Sequence, residues 1–133
     1  MVDDVGVAVV GVGFVGGQAH VPAFRKIPGS ELVIICDKIE ARVKPLSEKY
    51  GVKYCLDYEE VLNDPKVDAV VLVVPTPFHF ELAMKAMEKG KHVLCEMPLA
   101  PTIEQIKKIE EMAKKSKVVL LPDLNFRFAP VYV

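Results

Sequence analysis

Gly11, Gly13 and Gly16 stand in the order Gly11-Val12-Gly13-Phe14-Val15-Gly16, and an acid, Asp37, follows about 20 residues later. Residues of these types at this spacing can hold a dinucleotide. Gly11 permits a tight turn, Gly13 lets the backbone approach a pyrophosphate, and Gly16 lets a helix lie close to the strand before it. The phosphates would meet unpaired N–H groups at the positive end of that helix. Asp37 would accept hydrogen bonds from an adenosine ribose; its other reading is a strand-end residue that caps Lys38 and its successors. The glycine pattern alone is weak and depends on a strand before it, a helix after it and the acid at the end of the next strand.

That context is present. Residues 5–10, 32–36, 69–74, 92–95 and 118–121 are rich in Val, Ile and Leu and read as strands, with 53–55 as a short sixth. Several are apolar without alternation, as expected when helices cover both faces of a sheet. Asp57 and Glu60 form a capping box for a short helix that stops near Asp64-Pro65. Thr76 and Pro77 supply an N-cap and an N1 proline, and Gly90 closes that helix. Thr102 and Gln105 form another capping box; in the helix behind it Ile103, Ile106, Ile109 and Ala113 face inward, while Lys107, Lys108, Glu111, Lys114 and Lys115 stay in water. The alternation predicts an α/β fold: a doubly wound parallel sheet, the Rossmann arrangement, as one domain over residues 1–123.

Composition narrows the function classes. The 133 residues carry a formal net charge of −1, without a basic block or a basic–aromatic stripe, so no nucleic-acid partner is expected. No apolar run has membrane-spanning length, and the N-terminus lacks a signal-type segment, so no membrane partner is expected. Cys36, Cys55 and Cys95 are widely spaced and read as reduced structural thiols of a cytoplasmic protein, with no metal site. His20 and His92 read as structural, and Met84, Met87 and Met112 as core fillers. Residues 124–133 are different: Phe126, Phe128, Val131, Tyr132 and Val133 form an apolar exit segment that needs cover, from a second copy of the chain or a separate partner domain.

The second half carries a more specific pattern. Pro75-Thr76-Pro77-Phe78-His79 follows the third main strand, and Gly90-Lys91-His92-Val93-Leu94-Cys95-Glu96-Met97-Pro98-Leu99-Ala100 follows the next helix. With the glycine loop, and with Asn125 and Arg127 near the end, the chain resembles the N-terminal domain of the Gfo/Idh/MocA oxidoreductases over essentially its whole length. The resemblance implies a bound NAD, with Gly11, Gly13, Phe14 and Val15 along the pyrophosphate, Gly16 in the same cofactor-binding loop and Asp37 on the adenosine ribose. It places Lys38 and Arg42 near the ribose edge, although both also read as solvated charges. Pro75, Thr76 and His79 would border the nicotinamide half, with a helix cap as the other reading of His79, and Glu96 would lie near the nicotinamide ribose.

Two departures from the family pattern shape the functional expectation. Met97 occupies the position of a lysine that in the family helps bind cofactor and substrate and tunes proton transfer; methionine neither titrates nor donates. The family's second domain, which supplies the substrate pocket, lies beyond this sequence, and no residue here is assigned as the catalytic base. The expected role is therefore the nucleotide-binding domain of an NAD-dependent oxidoreductase that moves hydride to or from a secondary alcohol of a sugar or polyol, inactive alone. NADP is disfavoured because Asp37 would repel a 2′-phosphate. The alternative is a non-catalytic dinucleotide-binding sensor or partner subunit. A third ligand class, S-adenosylmethionine, also uses a glycine loop and an acidic strand end, but the residue 90–100 pattern argues against it.

Overall fold

The computed structural model describes residues 3–131. Among them, β1 (Val5–Val10), β2 (Ser30–Cys36), β3 (Lys53–Cys55), β4 (Ala69–Leu72), β5 (His92–Cys95) and β6 (Leu120–Pro122) form one sheet in the order β3-β2-β1-β4-β5-β6. Every pairing is parallel. The connections carry α1 (Val21–Phe24), α2 (Glu40–Tyr50), α3 (Tyr58–Asn63), α4 (His79–Glu88) and α5 (Ile103–Ser116). A π-helical turn, Gly16–His20, leads into α1, a 3-10 turn, Thr76–Phe78, leads into α4, and a further 3-10 turn spans Asn125–Phe128.

The apolar strands divide their side chains between two cores. Ala8, Val10, Ile34, Val70, Leu72 and Val93 pack on one face with Val61 of α3, Met87 of α4 and Ile109 of α5. Val7, Val9, Leu32, Ile35 and Val71 pack on the other with Val21 of α1 and Val43 of α2. Burial on both faces is what the unalternated strands predict. The three cysteines are free and buried, and burial pushes the Cys95 thiol up to about 12, so it stays protonated at neutral pH.

Local differences from the sequence reading have identifiable causes. The sixth strand begins at Leu120 rather than 118, because the Val118 N–H closes α5 on the Ala113 carbonyl and the Val119 N–H goes to Nδ1 of His92. Ile103 is 73% exposed, in the first turn of α5 and clear of the core, so the inward face of that helix is formed by Ile106, Ile109, Met112 and Ala113. Thr102 Oγ1 accepts the Gln105 N–H at 3.2 Å, but Gln105 Oε1 is buried without a partner, so the capping box is half made. Asp57 caps α3 through the Glu59 N–H at 3.0 Å, not through a reciprocal bond with Glu60. Thr76 lies inside the 3-10 turn instead of capping α4 with its side chain.

Candidate functional site

The sheet order reverses between β1 and β4: the chain steps outward from β1 through β2 to β3, then returns past β1 to start the other half. Connections leave β1 and β4 in opposite directions there, so a crevice opens beyond their carboxyl ends. A cleft of about 1130 Å³ occupies that position, lined by Gly11–Gly16, Asp37, Lys38, Arg42, Pro75, Phe78 and Glu96 among others.

The glycine loop forms the floor of the cleft. Gly11 has φ +88°, a left-handed value that disfavours any side chain, and a Cβ there would also strike the Val73 carbonyl. A Cβ on Gly16 would overlap the Gly11 carbonyl oxygen, so the helical turn can lie against the loop only with glycine at this position. Gly13 differs: a Cβ would meet nothing within 4 Å, and the residue faces the cleft. The chain turns helical at Phe14, and the first N–H groups of a helix have no partner within it. A backbone cradle, open space at Gly13 and a helix start together fit a pyrophosphate.

Asp37 joins the loop to the end of β2. Its Oδ2 accepts the Val12 N–H at 3.0 Å and its Oδ1 accepts the Ile39 N–H at 2.9 Å. The capping reading of this residue is therefore met by two backbone bonds. The side chain caps the local backbone, and each carboxylate oxygen of this cleft-lining residue can accept a further hydrogen bond. Lys38 Nζ lies 5.9 Å from the Phe78 ring centroid, so a cation from β2's end and an aromatic ring ahead of α4 meet across the cleft wall. Arg42, on the first turn of α2, borders the same end.

At the opposite end the sequence expectations separate. Pro75 and Glu96 line the cleft, whereas Thr76 and Met97 do not. Met97 is 46% exposed and precedes a cis peptide to Pro98. His79 is 1% exposed, and its ring points inward: Nδ1 bonds the Pro98 carbonyl and Nε2 the Val74 carbonyl, each at 2.7 Å. It ties the loop after β5 to the end of β4, and His79 is not among the residues that line the cleft.

A cluster that sequence spacing does not reveal lies beside Glu96. His20, Glu96 and Asp123 come from three separate connections, and their Nε2 and carboxylate oxygens lie within 4.8 Å of one another. His20 Nε2 is 2.9 Å from Glu96 Oε1 and 3.3 Å from Asp123 Oδ2. Burial, and then the neighbouring Glu96 carboxylate, raise the Asp123 carboxyl above its ordinary range. The only signal in the sequence was that Glu96 and Asp123 each follow a strand, which in a parallel sheet brings both to the same edge.

Residues 5–124 match the profile of the Gfo/Idh/MocA oxidoreductase family, NAD-binding Rossmann fold. Scyllo-inositol 2-dehydrogenase (NAD(+)) of Bacillus subtilis is 34% identical over 126 residues, 94% of this chain and 37% of that protein. The solved structure of a protein from gentamicin A biosynthesis in complex with NAD is 32% identical, with a TM-score of 0.92 over 98% of this chain and 37% of its own. A 3-ketoreductase from Actinomadura kijaniata in complex with NADP is 27% identical, with a TM-score of 0.93 over 98% of this chain and 42% of its own. The chain thus spans little more than a third of the length of such relatives.

Proposed function

The chain belongs to the Gfo/Idh/MocA oxidoreductases, and from that premise we propose that it is the part of an NAD-dependent dehydrogenase that binds the dinucleotide, serving hydride transfer to or from a secondary alcohol of a sugar or polyol. One observation carries the reading. The glycine loop, with open space at Gly13, and the Asp37 carboxylate line one cleft at the point where the strand order reverses. When bound, the nicotinamide ring supplies the hydride acceptor or donor. Gly11, Gly13, Phe14 and Val15 hold the pyrophosphate, Gly16 lets the helical turn close on that loop, Asp37 receives the adenosine ribose hydroxyls, and Lys38 and Arg42 border that ribose. Pro75 and Glu96 flank the nicotinamide end.

NAD is favoured over NADP because the Asp37 carboxylate would face a 2′-phosphate at close range. Relatives in complex with either cofactor share the fold, so the preference rests on this side chain and not on the fold. Met97 gives the nicotinamide end a neutral thioether that moves no proton. We therefore expect this 133-residue chain alone not to reduce NAD with inositol or glucose. NADH formation with either substrate contradicts that expectation. A protein that works in the cytoplasm agrees with three free, buried thiols, and no helix among the described residues is long and apolar enough to cross a membrane.

A second reading, a dinucleotide-binding sensor or partner subunit without catalysis, draws on Met97 and on the exit segment. Leu124, Phe126, Phe128 and Val131 are all exposed; Tyr132 and Val133 lie outside the described residues. The exit segment, residues 124–133, then serves as an interface to a second copy or to a separate substrate domain. Sedimentation of the chain beside one ending at Asp123 tests this. Association lost on truncation supports it, and two monomers of equal stability contradict it.

A further inference from the structure

We infer that His20 is a positioning residue for the cofactor end of the cleft, holding Glu96 in place through a hydrogen-bonded triad with Asp123; this rests on the dinucleotide reading above. Glu96 follows β5 and Asp123 follows β6, and the Asp123 N–H extends the ladder by donating to the Cys95 carbonyl at 2.8 Å. Adjacent parallel strands therefore deliver two carboxylates to the same edge. Side by side they repel, and burial strengthens the repulsion.

His20 resolves the conflict. Its Nε2–H donates to Glu96 Oε1 at 2.9 Å and is shared with Asp123 Oδ2 at 3.3 Å. No lysine or arginine pairs with either acid among the described residues. The imidazole itself is held. It is 12% exposed, stacks on Phe24 with the ring planes 13° apart, and ends the π-helical turn that begins at Gly16. Such turns widen a helix by one residue and re-aim the side chains that follow. The turn that starts at the phosphate loop thus ends on the group that holds the acid at the other end of the cleft. A ribose hydroxyl at Glu96 meets a carboxylate whose rotamer is already fixed, which lowers the ordering cost of binding.

A structural clamp would use the same contacts, so the test separates the two. NADH fluorescence titrations are run on the 133-residue chain for wild type, His20→Ala, Glu96→Gln and the double variant, with thermal unfolding measured on each. If His20 acts through Glu96, His20→Ala weakens NADH binding roughly tenfold in the wild-type background and less than about twofold on top of Glu96→Gln. His20→Gln, whose amide nitrogen can reach the Nε2 position, restores affinity to within about threefold. Equal losses in both backgrounds overturn the inference, as does unchanged affinity in folded His20→Ala. Should His20→Ala fail to fold, a folded His20→Gln with a tenfold loss overturns it independently, and near-wild-type affinity supports it. Wild-type chain that binds no NADH removes the dinucleotide reading, and the positioning role with it.

Discussion

The Asp37 carboxylate accepts the Val12 N–H at 3.0 Å, so the acid at the end of β2 is bonded directly to the glycine loop 25 positions before it. One side chain thereby sets the loop's shape and presents charge to the cleft. Asp37→Ala should weaken NADH binding and narrow the gap between NADH and NADPH, since removing a like charge at contact in a wet site is worth on the order of 1 kcal/mol to the 2′-phosphate. Calorimetric titration with both cofactors reads this. An unchanged NADH to NADPH ratio would remove Asp37 from the ribose site.

Gly16 is limited by backbone and not by a movable side chain, since a Cβ there runs into the Gly11 carbonyl oxygen. Gly16→Ala should therefore cost about 2 kcal/mol or more of stability, toward the upper end of overpacking changes. Urea unfolding followed by circular dichroism measures it. A variant as stable as wild type would show that the loop and helix can separate freely.

His79 is buried and bonded on both ring nitrogens, so its substitution is expected to cost stability before it costs ligand binding. His79→Leu keeps the volume but removes the ring nitrogens from between the Val74 and Pro98 carbonyls, to one of which a neutral imidazole donates. An unmet buried acceptor costs roughly 1–3 kcal/mol, so a loss of that size is expected. The fraction that remains folded should still bind NADH. Selective loss of binding with full stability would place the ring back at the cofactor.

Asp123 gives a pH signature with a defined sign. Its carboxyl is raised in the folded chain above the ordinary 3.8 by burial and then by Glu96. The folded state then holds more protons than the unfolded state above that pH. The resulting stabilisation is full below 3.8 and is lost as pH rises through the folded value. The stability of wild type relative to Asp123→Asn should fall as pH is raised from about 3.5 to 6. Urea midpoints across that range test it, and a difference that grows with pH contradicts it.

Much of this was legible in the sequence because it was local. Unalternated Val/Ile/Leu runs announced a sheet covered on both faces, and the glycine spacing announced the loop. The parts that were not legible depend on where separate connections meet. His79 sits one residue past a turn at the cleft, yet its ring finds two carbonyls behind the wall. Ile103 keeps the helical period of Ile106 and Ile109, but the first turn of α5 overhangs the core edge. The triad of His20, Glu96 and Asp123 exists only because β5 and β6 are neighbours, which no spacing along the chain encodes.

Whether a dinucleotide lies over the glycine loop is decided by one paired measurement. Calorimetric titration of NADH into wild type and Gly13→Val is compared with the unfolding curve of each. A valine at this position meets no protein atom near its Cβ and projects where the pyrophosphate must approach. Saturable binding by wild type, its loss in Gly13→Val and superimposable unfolding curves are the predicted result. Equal NADH affinity in the two folded proteins, or none in wild type, would contradict it.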